Sequence, residues 1–480
     1  MSNSGKFLKV GIIYTIGQLL SKAVSFIMIP IYTRELGTSG FGQLSLVDTA
    51  MNFISTFLIL SIYSGYIRFY REYEDDKRNR LRNTAITVAL IATGVNLVFI
   101  IFGGKYISGF IFNFSNSYEI LILLFLRSII SQFVTLLMCD YSLNYEAQKM
   151  VIIELIMMIL NMVFVIVFVV VKKEGIIGVY KGYIFGTLVI LIYLILSQIR
   201  RFKFEFDKGM FKNMFKFSFG LIPCNLSGAI LDLADRYFLS GYKGFGQTGI
   251  YSMGYKIGTL IDPIFVNPFK SIFTTFKFQV WKEKNSEEKF NNMFRAYHVI
   301  GCLIILGISF YSKILIKILS SDEYLIAVNL VPLILYSYFL YGENEFFSLG
   351  IQLKNKTYIT SFIMLIGGGV NIVLNILFIP KFGMYGAAVA TLISYWIINI
   401  INTIISKRFH KVKYNYKIAY IIDGIALSIY IIYLALSNLF NNIIMNGIVG
   451  IIMLALYIII ITVMKIISYD DIKLIIKRKC

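Results

Sequence analysis

Histidine is nearly absent from this chain of 480 residues: it has two, His298 and His410, both near the edges of apolar runs. That leaves no set of imidazoles for a metal centre, and it argues against a mid-membrane histidine switch. Cysteine is scarce too. The four present, Cys139, Cys224, Cys302 and Cys480, show no paired spacing for a disulfide framework or a zinc site. Charge is thin, at 15% of residues against 58% hydrophobic. A mean hydropathy of +0.74 excludes an ordinary soluble domain. Long outer loops are missing, so no external catalytic domain fits between the apolar runs, and no nucleotide-binding motif is present.

What remains is apolar and long. Fourteen candidate spans cover roughly 10–31, 44–66, 83–103, 119–139, 151–171, 176–197, 217–239, 249–269, 296–316, 325–349, 358–379, 384–405, 418–437 and 445–464. Each has about the 20 residues a helix needs to cross a bilayer. The first is too long for a signal-peptide core, lacks a small-residue cleavage site, and is read as retained. The net charge of +20 invites a nucleic-acid partner, but its distribution argues for none. With the N-terminus inside, the inner segments hold 33 of the 46 Lys and Arg and the outer loops hold nine. The positive-inside rule then puts both termini in the cytoplasm. The basic loops at 68–82, 200–216, 270–295 and 407–417 serve most simply as topology signals.

The chain also repeats itself. Gly40-Phe41-Gly42-Gln43 returns as Gly244-Phe245-Gly246-Gln247 after 204 residues. Gly175-Ile176-Ile177-Gly178 returns as Gly383-Met384-Tyr385-Gly386 after 208. The spacing predicts an N-lobe of six spans at 1–205 and a C-lobe of six at 206–412. Spans 13 and 14 and a tail follow at 413–480. An even span count makes the lobes a parallel repeat, the mark of an alternating-access transporter whose site lies where the halves meet.

Three motifs resemble those of bacterial polysaccharide flippases. The first is Thr33-Arg34-Glu35-Leu36-Gly37 followed by Gly40-Phe41-Gly42. The second is Asp235-Arg236-Tyr237-Phe238-Leu239, with Gly249-Ile250-Tyr251-Ser252 and Tyr255-Lys256-Ile257. The third runs through Lys356-Thr357, Asn371, Asn375, Ile379-Pro380-Lys381-Phe382-Gly383 and Gly386-Ala387-Ala388-Val389-Ala390-Thr391. That family sits in the multidrug/oligosaccharidyl-lipid/polysaccharide exporter superfamily, with multidrug extruders and lipid II flippases. The resemblance implies an all-α polytopic membrane protein with two six-helix lobes in a V shape and lipid-linked oligosaccharide as cargo. The family usually has twelve spans, so the last two here are an addition. They form either part of a lipid-tail groove, by analogy with lipid II flippases, or a peripheral packing element.

Ionisable residues inside spans cost about 2.5–3.5 kcal/mol at the bilayer centre, so they face the bundle or a wet cavity. Four cations qualify: Lys22, Arg127, Lys181 and Lys256. Lys22 belongs to a stripe, Gly11, Thr15, Gln18, Lys22 and Ser25, on one helix face. Asp48, Asn52 and Ser55 repeat the pattern in the second span, and Ser252, Lys256 and Thr259 in the eighth. At the 204-residue offset Asn52 falls on Lys256. A lysine is a point charge that holds a diphosphate without fixed fork geometry. Lys22, Lys256, Arg127, Gln18 and Asn52 are therefore the candidate substrate-binding residues. For the cations, a buried ion pair or snorkelling is the competing reading, and snorkelling is favoured at Lys181.

Asp48, Asp262 and Asp235 are the candidate ion-coupling acids, since a buried carboxylate can carry a proton. Asp232 and Arg236, at i,i+4, read as a pair. Glu154, Glu343, Glu345 and Asp423 read as solvated or gating groups near the inner face. Pro263 and Pro268 make either a hinge or a static kink. Asn371 and Asn375 read as helix glue.

The expected function is a flippase of the cytoplasmic (inner) membrane. It carries undecaprenyl-diphosphate-linked repeat units for surface polysaccharide such as O-antigen. It works as an antiporter driven by H+ or Na+, with membrane lipids and the polysaccharide polymerase machinery as partners. It needs no cofactor, metal or catalytic residue. The rivals are a multidrug extruder, a lipid II flippase, and a membrane glycan polymerase or ligase.

Overall fold

The computed structural model describes residues 3–58, 62–112, 114–144, 146–410, 412–440 and 442–466. The side chains of 3–16, 18–23, 53, 56–58, 75–76, 110, 220–227, 229, 232, 357 and 443 fall outside the description. Among the described residues there are helices and no strand. They run α1 (Asn3–Leu58), α2 (Ile62–Phe69), α3 (Asp75–Ile111), α4 (Ser117–Leu143), α5 (Ala147–Ile166), α6 (Gly175–Gln198) and α7 (Lys208–Gly258). The second series is α8 (Asn267–Val280), α9 (Ser286–Leu319), α10 (Val331–Phe347), α11 (Leu349–Leu353), α12 (Thr357–Ser406), α13 (Tyr416–Ser437) and α14 (Ile443–Val463). Nine stretches among the described residues are long and apolar enough to cross a membrane. Their outward sides are greasy: Val95, Phe99 and Phe102 on α3 are all more than 60% exposed, as lipid-facing side chains are.

Three helices each carry two expected spans, and each breaks at one glycine with left-handed backbone. These are Gly37 in α1 (φ 65°), Gly244 in α7 (φ 83°) and Gly383 in α12 (φ 57°). Gly175, with φ 60°, opens α6 in the same way. Only glycine takes this conformation without a Cβ clash. From Gly37 to Gly244 is 207 residues, and from Gly175 to Gly383 is 208. The backbone therefore repeats about three residues out of register with the Gly-Phe-Gly-Gln motif. The reason is local: the left-handed residue is the first glycine of that motif in α7, but lies three residues ahead of it in α1.

The second glycine of each Gly-x-x-Gly pair is needed for space. A Cβ on Gly178 would lie 3.0 Å from the Phe168 carbonyl, and one on Gly386 would lie 2.6 Å from the Phe378 carbonyl oxygen. Gly182 and Gly186 continue the stripe along α6, with Val165 and Asn161 of α5 inside 2.7 Å of their missing Cβ atoms. Close backbone approach at small residues is how membrane helices gain packing energy without a hydrophobic drive between them.

The chain forms two compact units, Met1–Tyr237 and Phe238–Cys480. The first has a core built from Tyr66, Leu81, Ala85, Val134, Leu137 and Leu194. The second has one cluster around Tyr251, Tyr255, Ile334 and Ala387. A further cluster packs α13 and α14 on α9 through Cys302, Phe310, Ile422, Ile429 and Tyr457. Tyr433 and Tyr457 fasten these two added helices by donating to the Phe310 and Val299 carbonyls, at 2.9 and 3.0 Å.

Candidate functional site

The apolar spans make every buried charge conspicuous, and the structure gathers them into clusters on facing helices. In the first unit, Arg127 of α4 pairs with Asp48 of α1 at 3.1 Å. Tyr180 donates to the same carboxylate oxygen at 3.0 Å. The guanidinium carbon stands 3.9 Å from the centre of the Tyr183 ring, a cation–π contact, and Tyr183 shares a 2.7 Å hydrogen bond with Tyr32. A candidate substrate cation and a candidate coupling acid thus meet in one pair.

A second cluster in that unit was not singled out from sequence. Arg82 of α3 pairs through Nε with Asp140 of α4 at 2.8 Å, with side chains 5% and 12% exposed. Tyr66 of α2 donates to the other Asp140 oxygen at 2.6 Å, and Gln198 of α6 accepts from Arg82 Nη2. Four helices meet at one ion pair. Beside it, Asp207 caps α7 by accepting from the Gly209 and Met210 amides at 2.9 and 3.0 Å. The Met210 amide, then the Gly209 amide and Arg80, hold its carboxyl below the usual range.

The second unit holds a buried triad. His298 of α9 has Nδ1 2.9 Å from Asp423 of α13 and Nε2 3.1 Å from Glu343 of α10. Asn399 donates to Glu343 Oε2 at 3.2 Å, and Tyr336 donates to Asp423 Oδ2 at 3.0 Å. Sequence alone left both carboxylates as solvated or gating groups and discounted the histidine; all three are at most 13% exposed. Nearby, Lys277 of α8, 2% exposed, pairs with Glu345 at 3.0 Å.

The remaining sequence candidates fall as follows. The side chains of Gln18, Lys22 and Asp232 lie outside the described residues. Asn52 is exposed on α1. Lys256 is half-buried in the last turn of α7. Asp262 accepts from Asn267 at 2.8 Å across a π-helical turn, Asp262–Val266, that also carries Pro263. Asp235 is fully buried, and Arg236 donates to Ser45 at 2.9 Å. Lys181 pairs with Glu174 at 2.8 Å. Asn375 donates to Asn371 at 2.9 Å, and Asn371 reaches Thr391 on the other half of α12 at 3.4 Å, so the pair does join helices. Among the described residues no group of three His, Cys, Asp or Glu is arranged to hold a metal ion.

Known proteins with related chains include membrane proteins and a probable flippase. The chain is 22% identical to an uncharacterised membrane protein of Methanocaldococcus jannaschii, over 97% of both chains. It is 20% identical to a probable low-salt glycan biosynthesis flippase of Haloferax volcanii, over 49% of this chain and 51% of that one. Its fold matches the lipid II flippase MurJ in an inward closed conformation, with a TM-score of 0.74 and 16% identity. The match covers 93% of this chain and 98% of that one. The apolar helices and these relatives make it a multi-pass membrane protein. Residues 7–277, more than half of the sequence, match the family described as polysaccharide biosynthesis protein. The expected kinship therefore holds, and the chain belongs to the polysaccharide biosynthesis protein family.

Proposed function

We propose that the protein is a flippase that moves undecaprenyl-diphosphate-linked oligosaccharide repeat units from the cytoplasmic to the outer leaflet. The observation that carries this reading is membership in the polysaccharide biosynthesis protein family on a fold shared with a lipid II flippase. A relative described as a glycan flippase supports the same cargo class. In this reading the repeated halves, 1–205 and 206–412, alternate access, both termini face the cytoplasm, and an H+ or Na+ gradient supplies the energy. Lys22, Lys256, Gln18 and Asn52 are the residues proposed to contact the diphosphate.

The Arg127–Asp48 pair joins two of the proposed roles. With Asp48 ionised, Arg127 is neutralised. A proton on Asp48 would free the guanidinium for the substrate anion, so coupling ion and cargo would act through one contact. Asp262 and Asp235 are the other acids proposed for ion coupling. The test is reconstitution of the purified chain in liposomes with a fluorescent lipid-diphosphate-linked oligosaccharide in one leaflet. Protein-dependent movement to the other leaflet is expected. Movement of cationic dyes with no movement of the glycan lipid would instead select the multidrug-extruder rival.

A further inference from the structure

A neutral imidazole carries one N–H, but both ring nitrogens of His298 face a carboxylate oxygen at hydrogen-bonding distance. Each of the two contacts needs a hydrogen, so the arrangement as built contains one proton more than a neutral ring and two carboxylates. The ring is the place for it. Glu343 already accepts from Asn399, and Asp423 already accepts from Tyr336 and from the Cys302 thiol at 3.2 Å. Both acids are thus dressed as anions, and an imidazolium between them satisfies every partner.

No lysine or arginine among the described residues pairs with either acid. The other titratable groups around the ring are the Cys302 thiol, several tyrosine hydroxyls and, further off, Asp262. On α9 itself Tyr297 donates to the Phe339 carbonyl. On α13 Tyr416 and Tyr420 lie within electrostatic reach of Glu343. From α14 Tyr457 donates to Val299, and in the turn before α8 Asp262 acts on Tyr297. Asp322 and Glu323 follow the far end of α9, roughly 30 Å along its axis from His298.

A cavity approaches the site. It has a volume of about 670 Å³ and is lined by Glu287, Asn291, Phe294, Lys413, Ile418 and Ala419, among others, on the side of the basic loops. Phe294 and Ala419 are each four residues before a member of the triad, His298 and Asp423. The cavity wall therefore lies one helical turn, about 6 Å, from the triad on both helices. The Phe294 ring stands against the imidazole, with centroids 4.6 Å apart, between pocket and site.

We propose that His298, Glu343 and Asp423 form a proton-binding site, reached from this cavity past Phe294, whose proton ties the added helix α13 to α9 and α10. Removing the proton leaves two carboxylates and one N–H between them. One contact then turns from attraction to repulsion, and its acid is either Asp423 on α13 or Glu343 on α10. The added helix pair is in this way a proton-sensitive part of the second unit and more than packing. That the proton is also the one that drives transport rests on the flippase reading above; the site itself does not.

The experiment uses the full chain in lipid nanodiscs with ¹⁵N-labelled histidine. His410→Asn removes the only other signal. Two protonated ring nitrogens on His298 at neutral pH are expected; one bare nitrogen overturns the site. Transport is read separately in proteoliposomes. A proton gradient should speed flipping by about fivefold or more, and His298→Gln or Glu343→Gln should abolish that stimulation. Stimulation that survives in both variants overturns the coupling role. If the unaltered protein flips no glycan lipid at all, the flippase reading falls while the nitrogen spectrum still decides the site.

Discussion

Replacing Asp140 by alanine should be among the most damaging single changes in the first unit. Among the described residues its carboxylate is the one ion-pair partner of Arg82, whose side chain is 5% exposed, and Arg82 Nη1 is buried with no partner among them. Removing one member of a buried pair costs about 3–5 kcal/mol, because the other charge stays behind. The Tyr66 hydroxyl loses its acceptor too, a cost of about 1–3 kcal/mol that overlaps the first. A loss of about 4 kcal/mol is therefore expected for Asp140→Ala, measured by steric-trap unfolding of the purified protein in bicelles. Arg82→Met with Asp140→Leu and Tyr66→Phe removes the whole network at similar volume and should stay within about 2 kcal/mol of the unaltered protein. The contrast is the test. If Asp140→Ala costs under about 1 kcal/mol, the pair behaves as an exposed one and the clamp reasoning is refuted. If the triple variant is worse than the single one, the penalty is not a stranded charge.

Three further outcomes are expected. Gly178→Leu and Gly386→Leu should each prevent recovery of folded protein by size-exclusion chromatography, since the new side chains meet the carbonyl groups of Phe168 and Phe378; Gly94→Leu, at an open position, should not. Lys22→Ala and Lys256→Ala should abolish export of surface polysaccharide with the protein still in the membrane, and normal export in both single variants and the double would remove the lysines from the site. Asp207→Ala should cost about 1 kcal/mol as a lost helix cap. Because the folded state depresses the Asp207 carboxyl, the cap's contribution is present above the unfolded value and fades as pH falls through the folded one. Unfolding midpoints of variant and parent should therefore converge in acid.

Fold class was legible in the sequence because span length and hydropathy are one-dimensional properties. So were the glycine landmarks: Gly175 and Gly383 read as matching helix starts, and both take the left-handed turn. The stripe Gly178, Gly182 and Gly186 was there to be found, as small residues every fourth position facing a neighbouring helix. The charge clusters were harder. Asp140 and Arg82 lie 58 residues apart, and Glu343 and Asp423 sit 45 and 125 residues from His298. Each looks like a membrane-edge residue by itself, and only packing of separate helices turns it into a partner. Rarity of histidine is a statement about numbers; burial between two acids is a statement about place.

The register of the repeat bears on where function differs between the halves. At the backbone spacing of 207, Asp48 corresponds to Tyr255 and Arg127 to Ile334, and at the spacing of 208 found at Gly175 and Gly383, Tyr180 corresponds to Ala388. In the first unit those three positions make the ion pair and its tyrosine partner. In the second unit their counterparts also lie together, in one buried apolar cluster. The counterpart positions thus differ in chemistry, an ion pair with its tyrosine in one unit and two aliphatic groups beside a tyrosine hydrogen-bonded to Tyr338 in the other. With Asp48 43% exposed the pair is only partly buried and adds little stability, so packing alone gives little reason to keep the charged version in one half. The charge at Asp48 and Arg127 is where the proposed substrate and coupling roles would set the two halves apart. Of the two acids at His298, Asp423 stands on α13, which follows the repeat, whereas Glu343 stands on α10 inside it.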